Sequence, residues 1–89
     1  MERKIEYSML AISDIKVYLR DLNGDYYLLK FRNNIEAYEH LVEEDDLSDD
    51  VYEIMIVTAK IEDGTRVCLF SGLGRDEALT FEELIGFFA

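Results

Sequence analysis

Apolar and polar residues alternate along the first third of the chain, and a period of two residues predicts β-strands with one buried face. The first alternating stretch covers residues 5–9. The next two stretches, residues 15–22 and 25–32, flank the dipeptide Asn23-Gly24. Because an Asn-Gly pair between two alternating stretches is a strong signal for a tight turn, the pattern predicts a β-hairpin here.

The hydrophobic pattern also selects the register of this hairpin. A two-residue loop would place lysines opposite apolar residues on both faces. A three-residue loop over residues 22–24, with Gly24 in the left-handed conformation, makes one face wholly apolar, and a shift by one residue would destroy that face. We therefore expect the pairs Ile15 with Phe31, Val17 with Leu29, and Leu19 with Tyr27.

A second hairpin follows the same plan. Residues 54–61 and 65–70 are rich in apolar residues and flank an acidic turn that ends at Gly64. Gly64 is expected to adopt a positive φ, as Gly24 is, because glycine takes this conformation without steric cost. The same loop length predicts the pairs Val57 with Leu69, and Ala59 with Val67.

After the first hairpin the apolar spacing changes to that of a helix. Asn33 is a good N-cap residue, and Glu36 stands at the third helical position, as in a capping box. The helix should end near Glu44, because the apolar spacing fails at Asp45. The apolar residues that we expect to face the sheet are Ile35, Tyr38, Leu41 and Val42.

The last helix is marked by Thr80 and Glu83, which fit a capping box. Its apolar stripe consists of Phe81, Leu84, Ile85 and Phe88. Together the elements predict an α+β fold, a small antiparallel sheet of four to five strands with two short helices packed on one face. Residues 1–89 are enough for one domain and too few for two.

Composition excludes several functional classes. Nine basic against twenty acidic residues give a net charge of −11, which argues against direct binding to nucleic acid. A single cysteine excludes a disulfide framework and a four-ligand Cys/His zinc site. No apolar run approaches the ~20 residues of a membrane span, and the first residues lead into no signal-peptide core. We therefore expect a cytoplasmic protein without membrane contact, cofactor or metal.

The negative charge is concentrated in one part of the chain. Residues 1–32 hold six basic and five acidic residues, whereas residues 33–89 hold three basic and fifteen acidic residues. No lysine or arginine occurs between Arg32 and Lys60, and a surface that is merely soluble would normally intersperse lysine among its acids. The acidic residues that we predict to bind a partner are Glu36, Glu39, Glu43, Glu44, Asp45, Asp46, Asp49 and Asp50.

Two interpretations of this acidic stretch remain open. Closely spaced carboxylates on a rigid support could mimic the phosphates of a nucleic acid, or complement a basic groove on a protein. Alternatively, the stretch is a solvated helix face and loop that serve only solubility. The complete lack of basic residues over the interval is the observation that favours a binding role.

Enzymatic and metal-binding patterns find little support. The series Asp46-x-Ser48-x-Asp50 begins like an EF-hand loop, but Val51 occupies the position that requires glycine. His40 lies among glutamates and is better placed as a counter-ion than as a general base. We expect Cys68, within a strand, to be a small buried hydrophobe. The chain is therefore not expected to be an enzyme.

In size and composition the chain resembles phage-encoded anti-CRISPR and anti-restriction proteins and toxin-immunity proteins, although no motif carries the resemblance. The first hypothesis is an inhibitor that binds a basic, nucleic-acid-handling protein such as a nuclease or CRISPR effector. The second is an immunity-type or regulatory protein that binds one toxin or enzyme, with Phe87 and the segment Gly72-Leu73-Gly74 contributing contacts. Either protein would be a monomer or a homodimer.

Overall fold

A four-stranded antiparallel sheet and two helices make up the fold, for which the computed structural model describes residues 12–72 and 78–89. The strand order is β2-β1-β3-β4, so each hairpin forms one half of the sheet and the α+β prediction is confirmed. The fifth candidate strand, residues 5–9, lies outside the described residues. The elements are β1 (Ser13–Asp21), β2 (Tyr26–Asn33), α1 (Asn34–Glu43), β3 (Tyr52–Lys60), β4 (Arg66–Ser71) and α2 (Phe81–Phe88).

The first hairpin has the predicted register. Its three pairs on the apolar face are those expected, including Val17 with Leu29. The loop is closed by Asp21, whose carboxylate accepts hydrogen bonds from the backbone N–H of Asn23 and of Asp25, both at 2.9 Å. Gly24 has a φ of 88°, as this turn requires. The turn sequence and the apolar face therefore specify the same pairing.

The second hairpin is predicted correctly only near its turn. Ala59 pairs with Val67, but Val57 pairs with Phe70 instead of Leu69. Leu69 is the extra residue of a β-bulge, in which two residues of one strand oppose one residue of the other. Cys68 is exposed, so the prediction that it is buried is wrong. The reason is the register, which places Cys68 opposite Thr58 on the face of the sheet away from the core.

Helix α1 begins and ends as predicted but presents a different face to the sheet. Asn33 caps it, accepting a hydrogen bond from the Glu36 backbone N–H at 2.9 Å. The buried residues are Ala37 and Leu41. The prediction that Ile35, Tyr38 and Val42 face the sheet is wrong, because these side chains are 64%, 39% and 52% exposed. Because Ala37 is small, the helix packs closely on the sheet at this residue. The face that makes this contact lies about a third of a turn around the helix axis from Ile35, Tyr38 and Val42.

One apolar core joins both helices to the same face of the sheet. Thr80 and Glu83 form the predicted capping box, with side-chain-to-backbone hydrogen bonds in both directions. Phe87 is half-buried against the core and contacts Phe88 edge to face. No helix among the described residues is long and apolar enough to cross a membrane. The central core side chains include Ile15, Val17, Leu19, Ile54, Val57, Phe81, Leu84 and Phe88.

Replacing Gly24 with valine is expected to lower the free energy of unfolding by at least about 1 kcal/mol, because a β-branched side chain is strained at positive φ. The control is Gly86→Ala in α2, where, apart from the adjacent residues and the backbone of the helix itself, no described atom lies within 4 Å of the added Cβ. Alanine should stabilise this helix by up to about 1 kcal/mol. Urea denaturation of both variants measures the two effects. A Gly24→Val variant as stable as the parent would contradict the proposed role of the left-handed turn.

Candidate partner-binding surface

Six of the eight predicted binding residues form an exposed group that we call the acidic surface. Within residues 12–72 and 78–89, none of the six carboxylates accepts a hydrogen bond or joins an ion pair. Two of them project from the solvent side of α1 and the other four from the segment that joins α1 to β3. The acidic surface consists of Glu39, Glu43, Glu44, Asp45, Asp46 and Asp50, all exposed.

The segment that carries the acidic surface is anchored at both ends. The Glu44 N–H donates to the His40 carbonyl at 3.0 Å and so continues the helix by one bond. At the other end the Ser48 carbonyl accepts from the Val51 and Tyr52 N–H groups, which closes a turn just before β3. Leu47 and Tyr52 both pack against the core. The carboxylates are therefore presented on a support that is held by backbone bonds and apolar contacts.

The other two predicted binding residues have structural partners. Glu36 accepts a hydrogen bond from the Arg32 guanidinium at 2.8 Å, and this bond holds the pKa of the Glu36 carboxyl below its usual value. Asp49 accepts from the backbone N–H of Phe81 at 2.9 Å. Since Phe81 is the first residue of α2, Asp49 satisfies one of the free N–H groups at the start of that helix. Sequence patterns cannot reveal this contact, because the two residues are far apart in the chain.

The acidic surface carries an internal electrostatic cost. Glu39 and Glu43 are one helical turn apart, and like charges at this spacing destabilise a helix. Glu43 and Glu44 also lie at the C-terminal end of α1, where the helix dipole disfavours negative charge. His40 is the only basic residue in the last turn of α1. The arrangement is therefore not one that stabilises the fold.

The basic residues lie mainly on the opposite side of the molecule. Because successive side chains of a strand point to opposite faces, five basic residues of the strands lie on the face of the sheet away from the helices. Arg20 forms an ion pair with Glu53 there. Arg66 donates to the Asp14 carboxylate at 2.6 Å. The five basic residues on this face are Lys16, Arg20, Lys30, Lys60 and Arg66.

This separation of charge was available in the sequence, because the basic residues of β1 and β2 alternate with core residues. Because of this separation, the cations of the sheet do not neutralise the acidic surface.

Asp14 is held between two of these cations. Desolvation alone would raise the pKa of the Asp14 carboxyl, but Arg66 and Lys60 outweigh it and lower that pKa. Asp14 is therefore a structural partner of the sheet cations.

An apolar strip lies beside the acids on α1. We call Ile35, Tyr38 and Val42 the α1 stripe; they are spaced at i, i+3 and i+7 and are all exposed. Glu39 stands four residues after Ile35 and three before Val42, so it neighbours both on the helix surface. The acidic surface and the α1 stripe are therefore adjacent.

Other candidate sites receive less support. The part of the chain that the structure describes contains no group of three or more His, Cys, Asp or Glu residues placed to hold a metal ion. The ring of His40 packs against Phe31, with ring centroids 5.2 Å apart. Of the alternative contact segment, Gly72 is described, whereas Leu73 and Gly74 lie outside the described residues.

In comparisons with family models, curated proteins and solved structures, nothing matches this chain. The surfaces of the molecule itself are therefore the guide to its function. The acidic surface is the largest group of charged side chains without a partner among the described residues. Its neighbour on α1 is the only row of exposed apolar side chains on a described helix.

Proposed function

We propose that this chain is a small acidic binding protein that inhibits a basic, nucleic-acid-handling protein by occupying its groove. The observation that carries the proposal is the acidic surface, six exposed carboxylates between Glu39 and Asp50 with no ionic partner among the described residues. Anti-restriction and anti-CRISPR proteins are the type of inhibitor that this describes. The protein would act without enzymatic chemistry.

The physical basis is mimicry of phosphate charge. A basic groove binds nucleic acid largely through lysine and arginine contacts to closely spaced phosphates. Carboxylates on an anchored support offer the same sign of charge and accept the same charge-assisted hydrogen bonds. Because the cations of the sheet lie on its opposite face, the acidic surface can enter a basic groove without bringing them along. Long-range attraction would also accelerate association at low salt.

The electrostatic cost of the acidic surface supports binding over mere solubility. Solubility depends on the net charge and requires no particular arrangement of it. Here acids are placed one turn apart and at the unfavourable end of a helix dipole. A surface that gives up stability for dense negative charge is expected where a partner supplies the compensating cations.

The second candidate is an immunity-type or regulatory protein that binds a specific toxin or enzyme. The α1 stripe favours it, because exposed Ile35 and Val42 contribute nothing to a surface that works by charge alone. Immunity-type binding would bury apolar side chains at the centre of the contact and leave polar groups at the rim.

The test is capture of the partner from a bacterial lysate at low salt, followed by competition. We expect a basic nucleic-acid-binding protein that is released by added DNA or RNA, with an affinity that falls steeply as salt rises to about 0.15 M. Failure to capture a basic protein would contradict the proposal. So would an affinity that is indifferent to salt, or a complex that still holds its nucleic acid in the groove.

A further inference from the structure

The α1 stripe is an unusual feature for a helix that packs on a sheet. Single exposed apolar residues are normal on protein surfaces. Three large ones in a row along one side of a helix are different, since the adjoining buried face of α1 uses only Ala37 and Leu41. An exposed apolar row bordered by charged residues is typical of a surface that a partner covers.

The charge beside the stripe restricts what can cover it. Nucleic acid and an anionic membrane would both be repelled by Glu39 and Glu43. A second copy of this chain that packed stripe against stripe would bring two acidic surfaces together, and like charges facing each other oppose such a contact. The complementary occupant is therefore a protein groove that combines an apolar floor with lysine or arginine along its side.

Grooves of this composition are characteristic of proteins that bind single-stranded nucleic acid. In them basic side chains follow the phosphate backbone, while aromatic side chains form a floor on which the exposed bases stack. A duplex buries the flat faces of its bases and offers phosphates on both sides, so a duplex-binding groove has no comparable apolar floor. Helix α1 carries both parts of a single strand: Glu39 and Glu43, about 6 Å apart along the helix axis, beside the α1 stripe.

We propose that the acidic surface and the α1 stripe form one binding surface that imitates a single-stranded nucleic acid and occupies the groove of a protein that binds single strands. The carboxylates take the place of phosphates on the basic side of that groove. The Tyr38 ring and the Ile35 and Val42 side chains take the place of bases on its apolar floor. This inference rests on the proposed function and adds to it the class of partner.

The first experiment compares two competitors for the captured complex at equal phosphate concentration, an oligo-dT of about 20 nucleotides and a duplex of the same length. We expect oligo-dT to release the partner at about tenfold lower concentration, since only the single strand presents exposed base faces. Equal or better release by the duplex overturns the inference but not the proposed function. Release by neither contradicts both.

The second experiment changes the stripe and keeps the acids. In the variant Ile35→Gln/Val42→Gln, helix propensity is maintained, because glutamine is at least as good a helix former as isoleucine or valine. The matched control, Tyr26→Gln/Leu28→Gln, removes two side chains of similar exposure, 66% and 42%, from the face of the sheet away from α1. Circular dichroism checks that both variants fold.

We expect the stripe variant to bind the captured partner about tenfold more weakly, with an unchanged salt dependence, and the control to bind like the parent. A stripe variant that binds as tightly as the parent overturns the inference, because charge alone would then account for binding. Loss of affinity together with loss of self-association in analytical ultracentrifugation also overturns it, since a second copy would then be what covers the stripe.

Discussion

Replacing Leu84 with alanine is expected to lower the free energy of unfolding by about 2–5 kcal/mol, as for other fully buried leucines. Leu84 is 0% exposed and belongs to the core that joins α2, α1 and the sheet. A domain of this size has a total stability of roughly 5–13 kcal/mol, so this one change would remove a large part of it. Urea denaturation followed by circular dichroism measures the loss.

The control for Leu84 is Leu22, which is 86% exposed in the first hairpin loop. Leu22→Ala deletes the same atoms from a position where they contact little, so its effect should stay within about 0.5 kcal/mol. If the two variants lose the same stability, α2 is not packed on the sheet as described. The comparison therefore tests the core, whichever partner the protein binds.

The first hairpin could be predicted to the residue because two independent signals agree there. The Asn23-Gly24 turn and the apolar face that contains Val17 and Leu19 permit only one register. The second hairpin has a clear turn, but its apolar face is ambiguous near the open end. Leu69 and Phe70 are both apolar there, and either can face the core. A β-bulge changes which of them does so, and no residue type in this segment marks it.

The face of α1 could not be predicted because its large apolar residues span about a third of the circumference, and Leu41, the one that packs on the sheet, lies at one edge of that arc. Weighting residues by size selects Ile35, Tyr38, Leu41 and Val42, of which only Leu41 packs on the sheet, together with the small Ala37. Close packing against a sheet favours a small residue at the point of contact, and that choice depends on the sheet. The error itself is informative, because it identified apolar side chains that the fold does not use.

The acidic surface was predictable, since all six of its members lie in the interval between residues 33 and 59 that lacks lysine and arginine. The roles of Glu36 and Asp49 were not. Glu36 was expected to complete a capping box with Asn33, but its carboxylate bonds to Arg32. Asp49 bonds to the first residue of a helix that is distant in sequence, and such a contact exists only in the folded chain.

Neutralising the acidic surface should abolish binding without harming the fold. The variant replaces each glutamate of the surface with glutamine and each aspartate with asparagine, and leaves Glu36 and Asp49 unchanged. Because like charges one turn apart and acids at a helix C-terminus are unfavourable, the melting temperature should stay the same or rise. Affinity for the captured partner should fall by at least about 100-fold, with most of its salt dependence lost.

Two further variants separate charge from structure. Asp25→Asn/Glu62→Gln/Glu82→Gln lowers the negative charge elsewhere and should bind almost like the parent, because these exposed acids lie outside the acidic surface. Asp49→Ala should instead lower the melting temperature, because the Phe81 N–H at the start of α2 loses its acceptor.

If the variant with the neutralised acidic surface binds and inhibits as well as the parent, the acidic surface is only a solvated face. Binding would then have to come from the α1 stripe alone or from the Phe87 end of α2, and mimicry of phosphates would be excluded.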